Sequence, residues 1–243
     1  HGNHVKHDIN KAIHYFTLAA NQNHPKAQLN LGIVYEKLKN YKKSIHYYLL
    51  ASNQNESQAQ FNLGKIYYEN EFISQDINKS LHFLTLAANR NHSIAQFYLG
   101  FIYFEGTFIS KDINKSIHYL ELAANQNISQ AQLLIGLIFL DCEYMAKDKN
   151  KGIFYLMKAS NNNNSIAQLN LGLIYYEGKY VERDIEKSIY YYTLAADQND
   201  SKAQLILGVI YYEGIYISQD ISKAIHYFLL SANQNNPEAL LNL

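Results

Sequence analysis

The stretch Ser93-Ile-Ala-Gln-Phe-Tyr-Leu-Gly-Phe-Ile-Tyr-Phe-Glu-Gly-Thr-Phe-Ile-Ser-Lys-Asp-Ile-Asn-Lys-Ser-Ile-His-Tyr-Leu-Glu-Leu-Ala-Ala-Asn-Gln-Asn127 decides the fold, because the rest of the chain largely copies it. Its Ala-Gln pair recurs at Ala27, Ala59, Ala95, Ala131, Ala167 and Ala203. A glycine follows five positions after each alanine, at Gly32, Gly64, Gly100, Gly136, Gly172 and Gly208. The spacing is 32 residues once and 36 four times. A fixed period of this size marks a stack of supersecondary units, each burying a face against its neighbours.

Each unit reads as two helices. The first starts at Pro25, Ser57, Ser93, Ser129, Ser165, Ser201 or Pro237. In the serine cases a Gln stands three residues on, as in Ser93 and Gln96, which predicts a capping box; Pro25 suits a first helical turn. Glycines at Gly106, Gly178 and Gly214 are placed to end first helices in a left-handed residue. The second helix starts after Asp8, Asp76, Asp112, Asp148, Asp184 or Asp220, a good N-cap at the positive end of the helix dipole. It closes on an Asn (Asn23, Asn91, Asn127, Asn199) fit for the left-handed role. The expected helices are 9–21, 25–38, 42–54, 57–69, 77–90, 93–105, 113–126, 129–141, 149–161, 165–177, 185–198, 201–213, 221–234 and 237–243.

At 100° per residue, Ala95, Gln96, Leu99, Gly100, Ile102 and Tyr103 cover one arc, which must be the packed one. Phe97 and Phe104 flank it and are expected to pack on the adjacent unit. The opposite arc holds positions 94, 98, 101 and 105. In the first two full units it is polar, as in Gln58, Asn62, Lys65 and Glu69, and then it turns apolar. Ile94, Tyr98 and Phe101 are followed by Gln130, Leu134 and Leu137, then Ile166, Asn170 and Leu173, then Ile206 and Val209. An exposed apolar strip of that length points to an interaction site. The competing reading is that superhelical curvature buries these side chains against each other.

Chemistry-bearing residues are arranged in rows and not in sites. His14, His46, His82, His118 and His226 occupy one position of successive second helices, with Phe154 and Tyr190 in the same column. Zinc needs nitrogens about 2.0–2.1 Å away, whereas such residues stand one helix spacing apart, so no metal site is expected. His1, His4 and His7 offer at most weak chelation. Glu69, Glu105, Asp141, Glu177 and Glu213 repeat one environment and lack the asymmetry that acid–base catalysis requires. Cys142 has no His or Asp partner, which argues against a nucleophile. We expect neither enzyme activity nor a cofactor.

Composition narrows the partners. With 21 basic and 21 acidic residues the chain lacks the charge excess that favours nucleic acid or an anionic membrane. There is no apolar run long enough to span a bilayer. A single cysteine rules out an intrachain disulfide and favours a reducing, intracellular and cytoplasmic setting. The many Asn, Ile, Lys and Tyr residues fit an AT-rich coding genome.

The pattern Ala-Gln-x-x-Leu-Gly-x-x-Tyr-x-x-Gly, then Asp-x-x-Lys-Ala/Ser, then a Tyr-containing turn and Ala-Ala, resembles the Sel-one-like repeat, a relative of the tetratricopeptide repeat with a longer loop between its helices. The chain departs from that pattern in carrying aromatics (Phe72, Phe108, Tyr144, Tyr180, Tyr216) for the second loop glycine, Tyr or Phe (Tyr15, Tyr47, Phe83, Tyr119) for the usual Trp, and Asn for the terminal Gly. The resemblance implies an α-solenoid serving as an adaptor or scaffold for other proteins. The expectation is therefore an all-α, right-handed α-solenoid of stacked antiparallel helix pairs. It would form one array over 1–243, with six full repeats and partial flanks, cut from a longer one. Ile94 to Val209 would line its concave face and bind a protein or peptide. The alternative is a structural spacer that self-associates end to end.

Overall fold

The computed structural model describes residues 8–69, 75–141 and 148–243, and the side chain of Asp141 is not described. His1, His4, His7, Phe72, Cys142 and Tyr144 lie outside the described residues. Fourteen helices and no strand are found among the described residues: α1 (Ile9–Asn21), α2 (Pro25–Lys37), α3 (Tyr41–Asn53), α4 (Ser57–Glu69), α5 (Ile77–Asn89), α6 (Ser93–Glu105), α7 (Ile113–Asn125), α8 (Ser129–Asp141), α9 (Lys149–Asn161), α10 (Ser165–Glu177), α11 (Ile185–Asp197), α12 (Ser201–Glu213), α13 (Ile221–Ala232) and α14 (Pro237–Leu241). Expected and observed boundaries agree within two residues throughout. The chain divides into two compact units, one ending at Leu122 and one starting at Ala123.

In the first unit consecutive helices pack in order. The α6–α7 pair shows the local logic. The Asp112 amide donates to the Tyr103 carbonyl (3.0 Å) and the Ser116 hydroxyl to the Gly100 carbonyl (2.8 Å), so the helices run antiparallel from a shared loop. Where they cross, a Cβ on Gly100 would lie 2.6 Å from Leu120 Cγ, and only glycine permits the approach. In the second unit a Cβ on Gly172 would lie at the same distance from the Tyr192 ring. Ala95, Leu99, Ile102, Leu120, Ala123 and Ala124 are all buried, as the packed arc requires.

Each repeat also carries an aromatic pair at the loop end of its helices. Tyr103 and Tyr119 stack at 6.1 Å between centroids, and Lys115 Nζ lies 5.1 Å from the Tyr103 ring while pairing with Asp112 at 3.5 Å. In the second unit Tyr175, Tyr191, Lys187 and Asp184 repeat the arrangement. The Asp residues cap as expected: Asp112 accepts from the Lys115 amide at 3.0 Å, and this bond, with the Lys115 charge, holds its carboxyl below the usual range.

Two local expectations are corrected. The first helices are capped one residue earlier than the expected Ser or Pro, by His92, Asn164, Asp200 and Asn236, whose side chains accept from amides of the first turn. The capping-box glutamines are instead buried between repeats: Gln96 Nε2 donates to the Ala88 carbonyl at 3.2 Å, and Gln168 and Gln204 do the same to Ser160 and Ala196. A helix-interior Gln invites the cap reading because the motif is local, but the Ala88, Ser160 and Ala196 carbonyls near the end of the preceding helix, each of which also accepts a backbone amide, take it as a second donor. The second-helix asparagines do take left-handed φ values, with Asn55, Asn163 and Asn235 joining those expected, and after the first helix of the shortened repeat Lys39 takes the left-handed place that Gly106, Gly178 and Gly214 hold elsewhere.

Candidate interaction face

The interior of each repeat is fixed by the positions above, and what distinguishes one repeat from another is the opposite side of its first helix. In the first unit this side of α6 carries Ile94, Tyr98 and Phe101. Ile94 is 42% exposed and Phe101 is half-buried. Tyr98 is not open: its ring packs edge-on against Phe61 and Tyr68 of the preceding repeat, and its hydroxyl donates to Glu69 at 2.7 Å. Burial and that acidic partner push its pKa above the ordinary value. Tyr98 therefore sits in the seam between neighbouring first helices, beside an outward-facing Ile94. Phe61, one position before Asn62, stacks at 4.7 Å on His92. Such contacts explain the role expected of the flanking aromatics, since Phe61 reaches the next repeat and Tyr68 meets Phe108 of the next loop.

In the second unit α8 carries Gln130, Leu134 and Leu137, α10 carries Ile166, Asn170 and Leu173, and α12 carries Ile206 and Val209. Leu137, Ile166 and Leu173 are 37%, 53% and 43% exposed, and Gln130 is exposed as well. Leu134, Asn170, Ile206 and Val209 are half-buried. Ile206 packs on the cluster around Tyr192 and Leu207, and Asn170 Nδ2 donates back to the Ile166 carbonyl at 2.7 Å. The expected strip thus separates into two kinds of residue within this unit. Positions 134, 170 and 206 lie toward the seams, while 137, 166 and 173 point outward. Ile206 and Leu205 also form the apolar wall of an open cleft of about 610 Å³ rimmed by Lys202, Gln234 and Glu238.

Glu69, Glu105, Glu177 and Glu213 end α4, α6, α10 and α12, and all are exposed. The second-helix histidines His14, His46, His82, His118 and His226 are exposed too, each meeting the following aromatic edge-on at 5.1–5.3 Å. Among the described residues no three His, Cys, Asp or Glu side chains come together as metal ligands. No described helix is long and apolar enough to cross a membrane.

The Sel1 repeat matches residues 1–24, 25–56, 57–92, 93–128, 129–164, 165–200 and 201–236. The chain belongs to the Sel1 repeat family. Six of the seven matched segments each hold one helix pair described above, and the segment 1–24 holds α1. Sel1 repeat proteins generally mediate protein–protein interactions. Two solved Sel1-type structures share the fold. A protective antigen of uropathogenic Escherichia coli strains displaying an SLR fold is 24% identical, with a TM-score of 0.83 over 95% of this chain and 50% of the other. A Sel1 repeat protein from Oxalobacter formigenes is 24% identical, with a TM-score of 0.77 over 98% of this chain and 72% of the other. The chain thus spans half the length of the Escherichia coli protein. Among curated proteins, none matches the sequence.

Sequence reasoning found the outward residues through their variability between units. It did not separate them from the seam residues, because a period of 3.6 places 94, 98 and 101 on one arc. Only the neighbouring helix decides which of them it covers.

Proposed function

We propose that the chain is a non-enzymatic scaffold that docks a segment of a partner protein on the outward face of its first helices. The observation that carries this reading is the row of exposed Leu137, Ile166 and Leu173 in the second unit, on helices whose opposite sides already bury a full complement of Ala, Leu and Ile. The equivalent position in the first unit, Lys65, does without an apolar side chain, so the repeat does not need one there to fold. Ile94 and Phe101 of α6 offer a similar surface within the first unit. Gln130, Asn170 and Lys202 supply polar edges.

Replacing Leu137 and Leu173 together by Ser tests the reading. Exposed positions of this kind change stability by no more than about 0.5 kcal/mol each, so the thermal midpoint should hold while retention of native partners in a pull-down is lost. A fall in stability of several kcal/mol would assign the two leucines to the core and defeat the proposal.

A second reading rests on α13, where Ile221, Ile225 and Leu229 form an exposed apolar row at i, i+4 and i+8. That row fits self-association between copies. Light scattering of the wild type and of an Ile225→Lys variant decides it: a mass above the monomer that the substitution halves supports assembly.

A further inference from the structure

In the first unit His92 closes the seam between α4 and α6 through a chain of hydrogen bonds that runs in one direction. Its Nδ1 atom accepts from the Ala95 amide at 3.2 Å, which is the N-cap bond of α6. A backbone amide can only donate, so Nδ1 carries no proton and the hydrogen of the neutral ring sits on Nε2. That nitrogen lies 3.2 Å from Gln58 Oε1 in α4, and Gln58 Nε2 donates onward to Asn62 Oδ1 at 2.9 Å. Gln58 thus turns its oxygen to the ring, as an Nε2–H donor requires. The imidazole also stacks on the buried Phe61 at 4.7 Å, and Phe61 meets Tyr98 of α6 edge-on. Burial of the half-buried ring holds its pKa below the ordinary histidine value. Asn164, Asp200 and Asn236 hold the same place in the second unit and do not titrate near neutrality, and His24 before α2 makes no side-chain cap.

We propose that His92 is a proton-sensitive latch on this seam: neutral, it holds the first turn of α6 against α4, and protonated, it releases that turn. Imidazolium has an N–H at both nitrogens and no acceptor, so its Nδ1–H would face the Ala95 N–H. Its charge would also stand at the positive end of the α6 dipole. The charged groups on the elements packed there do not compensate. Glu56, two residues before Gln58, forms no ion pair among the described residues. Arg90, after α5, turns its guanidinium to Asn55 and has the same sign as the protonated ring. Lys65 and Glu69 lie toward the far end of α4 and pair with each other at 3.9 Å, and Glu69 also holds the Tyr98 hydroxyl. Glu105 is at the far end of α6, and the end of α7, from Asn125 to Asn127, brings no ionisable group. Release of the turn would loosen Ile94 and uncover Phe61. The inference is separate from the docking reading, because it concerns the seam and not what lies on it.

Long-range proton–nitrogen NMR spectra of the whole chain read the tautomer and the titration of His92 directly. At neutral pH the ring should carry its hydrogen on Nε2, and its titration midpoint should fall below about 6.5, the value of an unperturbed histidine. With a folded pKa below the unfolded one, the His92 contacts contribute fully above about pH 6.5, and the contribution is lost as pH falls through the folded value. Amide hydrogen exchange reads the consequence. Between about pH 7.5 and about pH 5.5, where carboxylates stay charged, the protection factor of the Ala95 amide should drop by about fivefold, as expected for the loss of one N-cap. His92→Asn keeps a capping oxygen, as Asn164 does, and should hold Ala95 protection constant over the same range. His82→Asn, at an exposed histidine of α5, should respond as the wild type does. A hydrogen on Nδ1 at neutral pH, a midpoint at or above the ordinary value, or an equal fall of Ala95 protection in His92→Asn overturns the proposal. If His92→Asn does not fold, the tautomer and midpoint of the wild type decide alone.

Discussion

Gln60 is buried like its counterparts, yet its Oε1 atom has no hydrogen-bond donor. The reason lies just after the second helix of the same repeat. Gln28, Gln132, Gln168 and Gln204 each accept at Oε1 from a side-chain amide at that place, supplied by Gln54, Asn162, Gln198 and Gln234 at 2.6–2.9 Å. The matching residue for Gln60 is Arg90, whose guanidinium turns to Asn55 instead. Restoring the rung with Arg90→Gln should raise stability by about 1 kcal/mol, since a buried acceptor gains its partner; urea unfolding monitored by circular dichroism measures it. Gly100→Ala should act in the other direction. Its Cβ would stand 2.6 Å from Leu120 Cγ and 3.1 Å from the Leu120 nitrogen, so relief requires the helices to separate, at a cost of about 1–3 kcal/mol in the same assay. The glycine column was visible in the sequence as a fixed position. The glutamine rungs were visible as residues but not as bonds, because their partners stand 26 or 30 residues apart in the chain and only the packing of the two helices of a repeat brings them within reach.

At the scale of the element, second helices depend on their aspartate caps. Asp76, Asp112 and Asp184 each have carboxyls held below the ordinary value, for Asp76 and Asp112 first by the amide of the lysine three residues on and for Asp184 first by the Lys187 ammonium. A folded pKa below the unfolded one contributes stability that is complete above the unfolded value, about 3.9, and is lost as pH falls through the folded value. The thermal midpoint should therefore decline in acid below about pH 4. The triple variant Asp76→Asn, Asp112→Asn, Asp184→Asn keeps a capping oxygen and should show a flatter acid limb in scanning calorimetry. An unchanged limb would place the acid sensitivity elsewhere. Helix limits were legible to within two residues because second helices begin after an Asp, or Asn40 in the shortened repeat, and are followed by an Asn in the left-handed region. First-helix caps were not, since His92, Asn164 and Asp200 share the position but not the residue type.

At the scale of the molecule, a repeated interior frees the outward positions of the first helices to differ, and function is read from the difference. Leu137, Ile166 and Leu173 are exposed where Gln58 and Lys65 show that polar residues suffice. How far the strip runs in space depends on how neighbouring helices cover positions such as Tyr98 and Ile206, which periodicity alone does not fix. The most direct test of the docking face is a site-specific crosslinking scan in the native cell. A photoreactive phenylalanine is placed singly at Leu137, Ile166 and Leu173, and at Phe154, Tyr190 and His226 on the second helices of the same unit. The account predicts a shared partner adduct from the first three positions and none from the second three. Adducts confined to 154, 190 and 226, or equal at all six, would contradict it.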